Sequence, residues 1–138
     1  MKTIKKYNLV PLLLIAVLAL FAFTTTYFQS KWEVPAKYQA MENPVAGDDE
    51  AMEIGEELYT KHCKSCHGKE GLGDGPKSAE LETACGDFTT GEFQNQSDGA
   101  IYYKTTFGRD DMPSFEKKLG DDDERWMIVS YMRSFNEE

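Results

Sequence analysis

Polar and apolar positions divide this sequence into stretches with different rhythms. After Lys2, Lys5 and Lys6 the chain is uncharged from Tyr7 to Ser30, with a continuous apolar centre from Leu9 to Phe23. Leu9 to Phe28 comprises 20 residues, and a helix rising about 1.5 Å per residue carries that length across the hydrocarbon core of a bilayer. The small-x-small pattern of a cleavage site is poor here, Ala22-Phe23-Thr24 being its nearest approach. Residues 1–30 are therefore expected to form an uncleaved signal-anchor, with a cleaved export signal as the alternative. Lysines that stay cytoplasmic put everything after the span on the far side, the periplasmic face of a bacterial-type inner membrane. A cleaved signal leads to the same compartment.

Residues 31–50 have neither helical nor strand periodicity and contain Pro35, Pro44, Gly47 and the run Asp48-Asp49-Glu50. They read as an extended tether. Trp32, Val34 and Tyr38 are more than a linker needs, and either pack on the following domain or sit at the membrane surface. From Ala51 the rhythm becomes helical: Ile54 and Leu58 share a face with Gly55 and Tyr59, and the acids before them favour a helix N-terminus. That helix runs directly into Cys63. From Gly68 to Gly91, six glycines and Pro76 leave room for one short helix near Lys77 to Leu81. Ser97 or Asp98 caps a further helix through Phe107, ended by Gly108. Asp121 to Glu124 opens a last one, in which Ile128, Tyr131, Met132 and Phe135 recur at i, i+3, i+4 and i+7. No strand pattern occurs. The expectation for 51–138 is one all-α domain of three to four short helices, whose long loops make sense if they wrap something.

Charge and cysteine content narrow the chemistry. Lys2, Lys5 and Lys6 account for three of the 15 basic residues, so 12 remain against 24 acidic ones, a balance of −12. Phosphate backbones would be repelled, so nucleic acid is excluded as a partner and a protein with a basic docking surface is favoured. The three cysteines, 63, 66 and 85, do not make an even disulfide framework. Cys85, in Thr83-Ala84-Cys85-Gly86-Asp87, reads as a small, partly buried side chain.

Cys63-Lys64-Ser65-Cys66-His67 carries the chemistry. On a helical turn Cys63 and Cys66 lie three apart and Cys63 and His67 four apart, so two thiols and an imidazole are presented from one side. C-x-x-C-H in an exported protein is the pattern of covalent haem attachment: the thiols add to the vinyl groups and the histidine reaches the iron. A disulfide needs no adjacent histidine. Zinc needs a fourth ligand, for which only His62 or Cys85 is at hand. His62 is expected to face solvent. The second iron ligand is expected to be Met112, whose soft thioether stands in the polar loop Gly108-Arg109-Asp110-Asp111-Met112-Pro113, without apolar periodicity of its own.

With these pieces in place, residues 51–135 resemble a class I cytochrome c of the bacterial mono-haem group related to cbb3-type oxidase cytochromes. The resemblance rests on Gly55 and Tyr59, Cys63 to Gly68, the Gly71 to Pro76 stretch, Gly108 to Pro113, and Trp126 with Tyr131. It implies a cytochrome c fold around one covalent haem c. It implies that Gly55 lets the first and last helices approach closely at Ile128 and Tyr131, and that the Pro76 carbonyl accepts a hydrogen bond from His67. Arg109, Tyr103 and Trp126 are then neighbours of the propionates or ring, or else surface and ordinary core.

Three functions share this chemistry. An electron carrier holds its iron on both faces, here through His67 and Met112, in a membrane-associated respiratory chain. A permanent haem subunit of a membrane oxidoreductase does the same without mobility. A haem enzyme or gas sensor needs an open iron, and the familiar di-haem peroxidases need a second C-x-x-C-H, which this sequence lacks. The expectation is an electron-transfer protein with redox protein partners and no catalytic residues.

Overall fold

Each of the longer helices starts where a side chain supplies the hydrogen-bond acceptor that a helix N-terminus lacks. The computed structural model describes residues 31–136, so the expected anchor over 1–30 lies outside the described residues. Among the described residues no helix is long and apolar enough to cross a membrane. They form six α-helices: α1 (Ala36–Gln39), α2 (Asp49–His62), α3 (Lys64–His67), α4 (Gly91–Gln94), α5 (Asp98–Phe107) and α6 (Asp122–Arg133), with a 3-10 turn at Ser78–Glu80. The only β pairing among them is an isolated bridge between Arg109 and Met112. The three expected helices are present, and three single-turn helices are added to them.

The Asp48 carboxylate caps α2, accepting from the Glu50 and Ala51 amides at 2.9 and 3.2 Å. Ser97 does the same for α5 through Ala100 N, and Asp121 for α6 through Asp123 N. Ala51, Gly55 and Tyr59, four apart, make the buried stripe of α2. It packs on α6, whose Ile128 and Val129 are fully buried. Gly55 is required at the crossing: a Cβ there would lie 2.8 Å from the Met127 carbonyl carbon and 3.2 Å from Tyr131 Cβ. The expected close approach is therefore made at Met127 and Tyr131, with Ile128 turned into the core. Trp126 stacks on Tyr102 of α5, ring centroids 4.1 Å apart, which joins α5 to α6.

The stretch before α2 is not the extended tether expected over 31–50. From Val34 onward it belongs to the same compact body as the helices. Tyr38 of α1 packs on Tyr103 and Phe107 of α5, with ring centroids 4.8 and 5.6 Å apart. Asn43 donates to Ser130 Oγ at 2.8 Å and to the Trp126 carbonyl at 3.5 Å. Tyr38 and Val45 also pack against the hydrophobic core. The loop after α3 is folded back by main-chain bonds: Gly73 N to His67 O, Gly75 N to Cys66 O, Lys77 N to Ser65 O and Phe88 N to Gly71 O, between 2.7 and 3.1 Å. Arg133 fixes the next connection by donating to the Gln94 and Gln96 carbonyls and pairing with Asp98.

Candidate functional site

Cys63 ends α2, its amide bonded to the Tyr59 carbonyl at 2.8 Å. The chain then tightens into α3, with Cys66 N and His67 N both on the Cys63 carbonyl, at 3.1 and 3.0 Å. Two thiols and one imidazole are thereby held on a single turn, as the spacing predicts. All three cysteines are free thiols. Cys63 is buried, and burial, followed by the neighbouring Cys66, pushes its thiol up to about 12. Gly75 lies flat on the back of the turn, where a Cβ would meet the Cys66 carbonyl carbon and the Ser65 oxygen at 2.6 Å.

The imidazole of His67 stacks on Phe88 at 4.5 Å, and Phe88 stacks on Phe93 at 4.4 Å. Burial lowers the histidine's pKa, with the Gly86 main chain acting in the opposite sense. The ring is thus held neutral, the form with a lone pair to give. Nδ1 of His67 is buried and has no hydrogen-bond partner. The expected bond to the Pro76 carbonyl is therefore not made. The main-chain bonds of Gly75 and Lys77, on either side of Pro76, go to the backbone of the motif instead, and Pro76 itself is exposed.

Met112 sits in a turn closed by two reciprocal main-chain bonds with Arg109, both 2.9 Å. Within it Asp110 has φ +52°, the one positive φ outside glycine among the described residues. Phe115 N, Glu116 N and Ser114 Oγ all bond to the Thr106 carbonyl, which ties the chain after Met112 to the end of α5. The amide of Thr83 donates to Asp111 at 2.8 Å. Loop 83–88 therefore touches the Met112 turn through Thr83 and His67 through Phe88. Cys85 lies in this loop; burial, then Cys66 and Asp111, raises its pKa.

The remaining candidates are placed as follows. Arg109 pairs with Asp110 in the methionine turn at 3.1 Å. Trp126 is 4% exposed and fills core against Tyr102. His62 is half-buried, edge-on to Phe115 at 6.0 Å. Among the described residues no group of three His, Cys, Asp or Glu side chains gathers around a common point. Phe88 was not singled out by the sequence: one aromatic in a glycine-rich loop has no periodicity, and only the Thr90 cap of α4 beside it marks the loop as structured.

Residues 50–132 match the family model described as cytochrome c oxidase, cbb3-type, subunit III. The chain belongs to this family. A chain of the reducing HAO-like protein complex of Kuenenia stuttgartiensis is similar to this cbb3-type cytochrome c, with 37% identity and a TM-score of 0.59 over 64% of this chain and 45% of that one. This chain thus spans less than half of that relative's length. A c-type cytochrome, KustC0563, is 30% identical with a TM-score of 0.53, over 60% of this chain and 98% of that one. No curated protein matches the sequence. Family and fold together make the protein a class I c-type cytochrome with covalently bound haem c. Its own residues fit that group: a single turn offers two free thiols and a half-buried imidazole whose buried Nδ1 has no partner.

Proposed function

We propose that Cys63 and Cys66 hold one haem c through thioether bonds, that His67 and Met112 take the two axial positions, and that the protein passes single electrons between redox proteins at the periplasmic face of the inner membrane. The observation that carries this reading is the bridge made by loop 83–88, which links the His67 ring, whose Nδ1 has no hydrogen-bond partner, to the turn that presents Met112. The haem supplies a one-electron couple, and His/Met ligation sets it higher than histidine alone. The chain's part is to hold both ligands in place: α3 fixes His67, the Arg109–Met112 turn fixes the thioether, and Phe88 shields the imidazole.

The acidity is not spread evenly. Lys64, Lys69 and Lys77 all fall within the stretch around the motif, whereas Glu53, Glu56 and Glu57 stand exposed along α2, and Asp121, Asp122 and Asp123 open α6. The α2 ridge is the surface we assign to a basic partner. The signal-anchor over 1–30 keeps the protein at the membrane. A permanent place in a larger complex is the second reading, supported by the similar chain that belongs to a complex.

Two measurements on the holoprotein test the ligand set. Haem should resist acid-acetone extraction, and should become extractable or be lost when Cys63 and Cys66 are both replaced by alanine. The oxidised wild type should show the weak near-infrared band of a sulfur–iron bond, with Met112→Ala abolishing it and opening the iron to carbon monoxide. Rapid, full carbon monoxide binding by the wild type would sink the carrier reading in favour of an enzyme or sensor.

A further inference from the structure

Among the described residues Arg125 is the one charged side chain that is buried, 4% exposed. A guanidinium taken out of water is costly unless its donors are met, so its contacts identify what it serves. Nη1 donates to the Leu119 carbonyl and, at 3.5 Å, to that of Glu116. Nη2 donates to the Asp122 carboxylate and, at 3.3 Å, to the Tyr102 hydroxyl. The guanidinium lies 5.6 Å over the Tyr102 ring, and Tyr102 is stacked on Trp126. Nε is buried and unpaired. Two of the groups it touches, Glu116 and Leu119, belong to neither helix. They end the loop that begins at Met112.

That loop is held at two places. Near its start, Ser114, Phe115 and Glu116 bond to the Thr106 carbonyl at the end of α5. At its end Phe115 and Leu119, 4% and 2% exposed, are pressed into the core, and Leu119 N bonds to the Phe115 carbonyl at 2.9 Å. Arg125 is what joins this second end to α6 and to Tyr102 of α5. The task suits an arginine: its planar fork reaches two carbonyls and a carboxylate at once, whereas a lysine ammonium is a single point.

We propose that Arg125 is a positioning residue for Met112, its fork anchoring residues 116–119 so that the methionine turn stays closed over the iron. This rests on the Met112 ligation proposed above. A chain that has lost the second fastening remains tied at Thr106 but opens more often. A competing ligand binds only the opened form, so its apparent affinity rises in proportion to the open fraction.

The test uses ferric holoprotein with imidazole as the competing ligand, in wild type, Arg125→Met, Arg125→Lys, Met112→Ala and the Arg125→Met/Met112→Ala double variant. Losing charge-assisted hydrogen bonds predicts about tenfold tighter apparent imidazole binding in Arg125→Met, with Arg125→Lys in between. Amide exchange at Leu119 should quicken by about the same factor, while Glu116, whose amide stays on the Thr106 carbonyl, should change little. In the Met112→Ala background, Arg125→Met should change imidazole affinity little, because no sulfur is left to position. Equal affinity in wild type and Arg125→Met, or the same tightening with Met112 already gone, overturns the proposal. If Arg125→Met does not fold, Arg125→Lys carries the test, and wild-type affinity with wild-type exchange in that variant overturns it equally. A wild type that binds imidazole as freely as Met112→Ala removes the methionine ligation itself, and this inference with it.

Discussion

The hydroxyl of Tyr59 donates to the carbonyl of Gly68 across 2.8 Å, in the core. This bond joins the last turn of α2 to the residue that follows the Cys63–His67 motif, so the turn bearing both thiols cannot swing away from the helix that leads into it. Tyr59→Phe keeps the ring and leaves the Gly68 carbonyl buried without its donor, at a cost of about 1–3 kcal/mol. Chemical denaturation of the holoprotein should show that loss. Burial, then Cys63, also raises the Tyr59 pKa above its ordinary 10.0. A group that binds its proton more tightly when folded gives stability that is complete below the unfolded pKa and lost as pH rises above it. Wild-type stability should therefore fall above about pH 10, more steeply than that of Tyr59→Phe. Parallel curves would show that the hydroxyl plays no part.

At Gly55 two effects oppose each other. In an exposed helix, Gly→Ala gains about 1 kcal/mol of propensity. Here the added methyl would meet the Met127 carbonyl group at a separation that real side chains do not show, against backbone that cannot rotate aside. Overpacking of this kind costs about 1–3 kcal/mol, or more, so Gly55→Ala should lower stability and Gly55→Val lower it further. A Gly55→Ala protein more stable than wild type would mean that the crossing of α2 and α6 is looser than described.

Electron transfer with a basic redox partner should slow as ionic strength rises, since attraction between exposed charges is screened within about 8 Å at physiological salt. Charge reversal of Glu53, Glu56 and Glu57 to lysine should reduce both the rate at low salt and its salt dependence. Stopped-flow rates that respond instead to reversal of Lys64 and Lys77 would move the docking surface to the motif face and reverse the charge required of the partner.

The anchor is checked by the intact mass of protein extracted from membranes. It should contain residues 1–30; a mature chain beginning between Thr24 and Ser30 would show cleavage and a protein free in the periplasm.

What could be read from the sequence was what depends on near neighbours. Asp48, Ser97 and Asp121 mark the starts of α2, α5 and α6 because a cap acts within three residues, and the motif's spacing fixes its geometry within one turn. What could not be read depends on distant partners. Asn43 gives no sign of binding Ser130, 87 residues away, so the stretch before α2 looked like a tether. Arg125, between Glu124 and Trp126, looks like a solvated helix face until Leu119 and Tyr102 close over it. Pro76 was placed on His67 by analogy of position, yet its neighbours bond to the backbone of the motif.

With Cys63 as the proposed point of attachment, its burial dictates an order of manufacture. Its side chain is 8% exposed, and Gly75 and Lys77 are bonded across the back of the same turn. No attaching catalyst can grip a thiol so enclosed, nor can a macrocycle be slid in beside it afterwards. The thioether bonds have to be made while the chain is still open, so maturation runs from ligation to closure. Holding the polypeptide open until that bond exists becomes as much a requirement for a working protein as any contact in the finished core.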